Sequence, residues 1–266
     1  MLVIDQRNEP AEFGPERFTP DQRKGYQVEL LLVFSVTLGL SGLRSLVRLV
    51  DSLLRPVPLN QQTVAINVPQ ARFDLLDLIA QLLSVLQLSA WGGLGLYLLW
   101  RSGVTFKAVG LDRARPAFDA WGSLGLAALI GVPGLAFYLV AWNLGLNLAV
   151  QPSTLDSWWS AITLTLAAAG NAWAEEVLVV GFVLTRLRQL GWKDNTSLVV
   201  AAVLRGSYHL YQGFGGFIGN VVMGLVYGKF WQRTGRLWPL IGAHTLLDVV
   251  AFVGYSLLRD HLSWLP

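Results

Sequence analysis

Apolar residues run in long uninterrupted stretches along this chain, and the polar residues are confined to the gaps between them. About 20 mostly apolar residues suffice to cross a bilayer as a helix. Leu78 to Trp100 carries no charge, and none appears from Ala120 through Leu155, so spans are predicted over 78–100 and about 121–149. Pro133 falls inside the second of these and predicts a kink. An earlier candidate covers Val28–Val50, where Glu29, Arg44 and Arg48 restrict the uncharged centre to 30–43. The two arginines are expected to snorkel to the interface. Four further stretches follow: Trp158–Leu184, Asn195–Tyr211, a short one over Phe217–Trp231 after the turn Gly213-Phe214-Gly215-Gly216, and Leu237–Leu258. The pattern predicts an all-α, polytopic integral membrane bundle of about seven transmembrane helices.

Composition agrees. Of 266 residues 53% are hydrophobic and only 14% charged, and mean hydropathy is +0.49. A soluble domain carries about 25% charged residues, so soluble, disordered and basic nucleic-acid-binding classes are excluded as expectations. No cysteine is present, which removes disulfides, thiolate metal sites and thiol nucleophiles. Residues 1–27 are polar and contain Pro10, Pro15 and Pro20; they read as a flexible cytoplasmic tail ahead of one membrane domain, 28–266. Lys and Arg concentrate in alternate connections: the tail, then Arg101–Arg115, then Arg186–Lys193, then Lys229–Arg236. Cytoplasmic loops are the positive ones. The chain therefore reads as a multi-pass protein of the plasma membrane with its N-terminus inside. Trp91, Trp100, Trp158, Trp159, Trp231, Trp238 and Trp264 read as an interfacial aromatic belt, and His261 as a bystander in the C-terminal tail.

Ionisable residues inside spans carry the chemistry, because each costs about 2.5–3.5 kcal/mol at a helix centre and needs a partner. Six are present: Glu175, Glu176, Arg205, His209, His244 and Asp248. At 1.5 Å per residue, the Glu pair lies roughly 15 Å from the cytoplasmic end, Arg205 about 14 Å, His209 about 20 Å, His244 about 10 Å and Asp248 about 16 Å. That common depth predicts one site in the cytoplasmic half of the bilayer. His244 and Asp248, and likewise Arg205 and His209, are four apart and share a helix face. Glu175 and Glu176 are about 100° apart on an α-helix, so one is expected to work at the centre while the other pairs elsewhere. Three carboxylates against one guanidinium leave −2. Either a divalent cation restores neutrality, or one carboxyl stays protonated and a His takes a proton. Both suit hydrolysis, by metal-bound water or by water activated by a Glu base. Asn171, one turn before Glu175, orients that carboxylate or bonds across helices; Tyr208, Tyr211 and Asn220 read as packing or interfacial residues.

A Glu-Glu pair, a His on the next helix, and a His followed four residues later by Asn or Asp form an ordered set. Glu175-Glu176, His209 and His244-Thr-Leu-Leu-Asp248 make this chain resemble the CPBP intramembrane proteases, related to type II CAAX prenyl endopeptidases and to bacteriocin-immunity (Abi) proteins. The stretch Thr234–His244 also looks like that family's approach to its last motif, and the resemblance covers about 155–255. It implies hydrolysis of a peptide bond of a membrane-associated protein or peptide, with the bilayer and no nucleic acid as the setting. It implies Glu175 and His209 as activators of water and His244 and Asp248 as oxyanion binders or as completing a metal site, with Glu175, His209 and His244 as the ligands where a divalent metal such as zinc is bound. Two positions depart from the family: Val180 stands where an Arg is usual, and Arg205 where a Phe is usual. A compensating exchange follows, in which Arg205 supplies the missing guanidinium, with Glu176 as its expected partner. A non-catalytic scaffold or immunity protein of the same fold is the alternative, and a proton-coupled transporter a more distant one, since spans one to three offer few polar residues.

Overall fold

The computed structural model describes residues 18–258 except 152, 154 and 156. Trp264, His261 and Arg259 lie outside the described residues, as do 1–17 of the expected tail.

Helix α1 (Pro20–Val36) begins inside the segment whose polarity suggested a tail. Its start is a capping box: Thr19 Oγ1 accepts from the Gln22 amide, the Gln22 side chain accepts from the Thr19 amide, and Pro20 occupies the first turn. At Thr37 the backbone leaves helical geometry, and α2 (Leu38–Leu54) continues bent by 48°. The Thr37 hydroxyl donates to the Val33 carbonyl at 2.7 Å, a side chain inserted into the helix ladder, which is a usual cause of a kink. Helix α3 (Asp74–Arg101) and α4 (Pro116–Asn143) follow, each 28 residues long, with α4 running on through Pro133. Helix α5 (Ser160–Glu175) passes into a π-helical stretch, Glu176–Leu184, and then α6 (Thr185–Gln189). Helices α7 (Asp194–Ser207), α8 (Phe214–Thr234) and α9 (Trp238–Val249) complete the bundle; α9 continues through a π turn, Val250–Gly254, into α10 (Tyr255–Leu258). Strands β1 (Thr63–Ala65) and β2 (Ala149–Gln151) pair in parallel between two loops.

Each predicted span is largely helical, with 28–50 divided at Thr37 and 195–211 helical as far as Ser207, and the chain is an all-α, polytopic membrane bundle. By length and composition four helices can cross a membrane: Asp74–Arg101, Pro116–Asn143, Ser160–Gln189 and Trp238–Leu258. A fifth is possible if the bent pair α1–α2 counts as one span. Helix α7 has 14 residues, about 21 Å, short of a 30 Å hydrocarbon core. Helix α8 is long enough at 21 residues, but Gly, Asn, Gln and basic residues dilute its apolar content. Outer helices leave apolar side chains bare, such as Val132 and Trp121 at 74%, whereas the central span Ser160–Gln189 is 72% buried in its apolar window. A helix apolar on all sides belongs in the middle of a bundle. Packing of α3, α7 and α9 around α5 and its π extension puts it there.

The connections gather at two ends. At one, Arg236 binds Asp119 and Asp112, Trp231 Nε1–H donates to the Val109 carbonyl, and Gly110 (φ 80°) approaches Gly235 so closely that a Cβ would lie 2.1 Å from its oxygen. The guanidinium beside Asp112 holds that carboxyl below its ordinary value of 3.8. Arg186 is fully buried nearby: its nitrogens reach Glu29 (2.6 Å), Ser102 (2.7 Å), Gln189 (2.6 Å) and the Leu98 carbonyl (2.8 Å), and Tyr26 stacks against it at 4.4 Å. At the other end β1 pairs with β2, Trp142 Nε1–H donates to the Asn60 carbonyl, and Gly213 (φ 108°) packs on Leu146. Two of the tryptophans expected in an interfacial belt are internal anchors instead. Trp231 is buried on Val109, and Trp159 is buried with its indole N–H on Asp74.

Candidate active site

The Glu pair sits where α5 turns into the π-helical stretch. Local widening of a helix by π geometry is frequent at functional sites, and here all nine residues of the stretch are buried. Glu175 is 3% exposed and Glu176 is fully buried. Both face the same guanidinium. Arg205 of α7 bonds Glu176 with Nη1 (3.2 Å) and, very closely, with Nη2; the latter also reaches Glu175 Oε2 at 3.3 Å. The expectation that one carboxylate would turn to a separate part of the bundle is therefore corrected. The α-to-π change begins at Glu176, and the long arginine spans both carboxylates.

Beyond that shared cation the two acids have different partners. Glu176 Oε1 accepts from His244 Nδ1 at 2.7 Å. Since a carboxylate only accepts, Nδ1 carries the hydrogen. His244 Nε2 lies 3.6 Å from Asp248 Oδ1, one turn along α9. Asn171 donates to Asp248 Oδ2 at 3.0 Å, so of its two readings the bond across helices is the one found, and Glu175 is not its partner. Glu175 Oε2 accepts instead from the Tyr208 hydroxyl at 2.7 Å and lies 3.9 Å from His209 Nε2. The histidine's two ring nitrogens are buried without a hydrogen-bond partner, while its ring lies 4.8 Å from that of Tyr208 and 6.4 Å from that of Tyr211. A polar group in that state wants water or a ligand.

All seven predicted residues thus join one network: Asn171, Glu175, Glu176, Arg205, His209, His244 and Asp248. It has a sealed side, with Arg205 and Glu176 at 0% exposure, and a more open side, with the His209 and Asp248 side chains at 15% and 17%. An apolar groove of about 750 Å³ runs between α4 and the last helix, bounded by Gly131, Leu135, Tyr138, Leu247, Ala251 and Tyr255; Leu247, next to Asp248 in sequence, lies in its wall.

Tyr208 is the residue that sequence reasoning missed. It was read as packing because nothing local distinguishes a tyrosine beside a motif histidine from an interfacial one. The signal available was Glu175 itself: a carboxylate inside an apolar span needs donors, and a tyrosine adjacent to the motif histidine is one.

A resident metal does not fit this donor set. Arg205 Nη2 donates to Glu175 Oε2 and to Glu176, so carboxylate oxygens that would bind a cation already face one, and His244 Nδ1, which carries a hydrogen, has no lone pair to offer. His209 stands apart, near Glu175 alone. Among the described residues no group of three or more His, Asp or Glu side chains is arranged to hold a metal ion.

No curated protein and no solved structure matches the chain. Residues 157–250 match the family described as type II CAAX prenyl endopeptidase Rce1-like. That matched segment contains the whole network from Asn171 to Asp248, and the similarity over it agrees with the CPBP and Abi resemblance.

Proposed function

We propose that the protein is an intramembrane endopeptidase that hydrolyses a peptide bond of a membrane-associated protein or peptide with water activated by Glu175 and His209. One observation carries this reading: a buried carboxylate faces an imidazole across a 3.9 Å gap, and both nitrogens of that imidazole lack partners. Such a gap is too long for a direct hydrogen bond and lets a water contact both groups.

In the reaction Glu175 takes a proton from the water, and the hydroxide oxygen adds to the scissile carbonyl carbon. His209 orients that water. His244 has Nδ1 committed to Glu176 and presents Nε2 on the side of Asp248; protonated there, it donates to the oxyanion. Asp248, fixed by Asn171, holds the ring in place. The proton on Glu175 passes to the amine nitrogen as the C–N bond breaks, giving one carboxylate and one amine. Arg205 keeps two adjacent carboxylates ionised in a buried place without itself touching the reacting atoms. No step passes through a metal.

The substrate reaches the site from the bilayer, and the apolar groove between α4 and the last helix suits an apolar segment of it. The same reading places the protein in the plasma membrane with its basic connections and N-terminus on the cytoplasmic side.

Purified protein in detergent, offered a panel of membrane-derived peptides, tests this directly. Wild type should cleave at least one peptide, and Glu175→Gln and His209→Ala should each lose about 100-fold or more in kcat while melting like wild type. Equal cleavage by all three would instead favour a non-catalytic scaffold of the same fold.

A further inference from the structure

The working carboxylate is pulled from two sides. On one, the Arg205 guanidinium, itself anchored by Glu176, draws Glu175 towards the sealed interior. On the other, the Tyr208 hydroxyl donates to the same Glu175 oxygen at 2.7 Å, from beside His209. Nothing else among the described residues donates to that oxygen from the His209 side.

Consecutive residues on a helix diverge by about 100°, yet Tyr208 and His209 both approach Glu175. They can because α7 has ended: their ψ angles are both 2°, with φ of −82° and −103°, a turn conformation and not a helical one. That turn is fixed from outside the family-matched segment. Ser45 on α2, itself buried, donates to the Tyr208 carbonyl at 2.9 Å, and Gly42 lets α2 approach Ser207. The tyrosine ring is 6% exposed, so it has no room to swing away.

From these contacts we infer that Tyr208 is a positioning residue for hydrolysis. Its hydroxyl holds the Glu175 carboxylate against the His209 gap and stops it collapsing onto Arg205, and α2 sets the tyrosine through Ser45. The inference rests on the peptidase reading. Tyr208 touches neither water nor peptide in this role; it acts through Glu175.

Tyr208→Phe removes only the hydroxyl. A hydrogen bond to a charged group is worth about 1.5–3 kcal/mol, so kcat should fall roughly 10- to 100-fold with KM within about two-fold. Ser45→Ala should lower kcat in the same direction by less. A merely structural tyrosine would instead change the melting temperature and leave the kcat of the folded fraction alone. Ultraviolet resonance Raman provides a readout that needs neither activity nor the Tyr208 variant. The donor signature of one tyrosine in the wild-type protein should weaken in Glu175→Gln. An unaltered tyrosine signature, or a Tyr208→Phe enzyme with wild-type kcat, overturns the proposal. Should wild type cleave no peptide at all, the peptidase reading fails, while the Raman comparison still decides whether the contact exists.

Discussion

Arg205 on α7 and Glu176 at the start of the π-helical stretch form an ion pair in which both side chains are completely buried. Twenty-nine residues separate them in sequence, and the resemblance implies an arginine at the position of Val180, one turn after the Glu pair. Val180, at that position, is buried among apolar neighbours. The exchange expected from the sequence has its geometric half in place, namely the guanidinium on the carboxylates; its functional half is testable.

Removing one partner of a buried pair leaves an uncompensated charge and costs about 3–5 kcal/mol. Arg205→Phe should therefore melt at a clearly lower temperature and cleave nothing. Arg205→Phe combined with Val180→Arg should regain both stability and cleavage. A double variant no better than the single one would leave the exchange without support.

Asn171 bonds Asp248, and its two substitutions should differ in sign of charge and so in severity. Asn171→Ala removes a hydrogen bond to a charged group, about 1.5–3 kcal/mol, and should lower kcat roughly ten-fold. Asn171→Asp sets a second carboxylate against Asp248 and should be worse, in both kcat and thermal stability. Equal effects would show that the charge of Asp248 is unimportant.

The Glu175 and Glu176 oxygens that would ligate a metal face Arg205. Exhaustive treatment with a chelator should leave the hydrolysis rate and the melting temperature of the purified protein within error of the untreated sample. Elemental analysis finding one tightly held divalent ion per chain, with activity lost on its removal, would contradict this.

Asp112 titrates below its ordinary value because Arg236 pairs with it, so it binds fewer protons in the folded protein than in the unfolded one. Stability from this contact is complete above about pH 5 and is lost as the pH falls through the carboxylate range. Melting temperature measured from pH 6 to pH 3 should therefore decline less steeply in Asp112→Asn than in wild type. Parallel curves would mean that the Arg236 contact is not thermodynamically linked to folding.

How much of this was legible beforehand can be judged from particular residues. Long apolar runs made each helix visible, since a bilayer-facing segment has to be apolar whatever it packs against. That Glu175, Glu176, His209, His244 and Asp248 would come together was visible because charge inside an apolar run is expensive and needs a partner. The start of α1 was also present in the sequence, as Thr19-Pro20 followed by Gln22, but the surrounding polarity hid it. Span number was not legible. Whether α7 and α8 cross depends on helix length and on what surrounds them, and periodicity alone does not report either.

The sequence by itself determined that the chain is a helical membrane protein with acids and imidazoles at a common depth, because those properties follow from transfer costs residue by residue. Only the tertiary structure decided which nitrogen meets which oxygen. It turned both glutamates onto Arg205, gave Asn171 to Asp248, brought Tyr208 to Glu175 and buried Arg186 under Glu29. Those choices depend on helix bends, π widening and the close approach of elements as distant as α2 and α7, and such packing geometry emerges only when all the helices are assembled together.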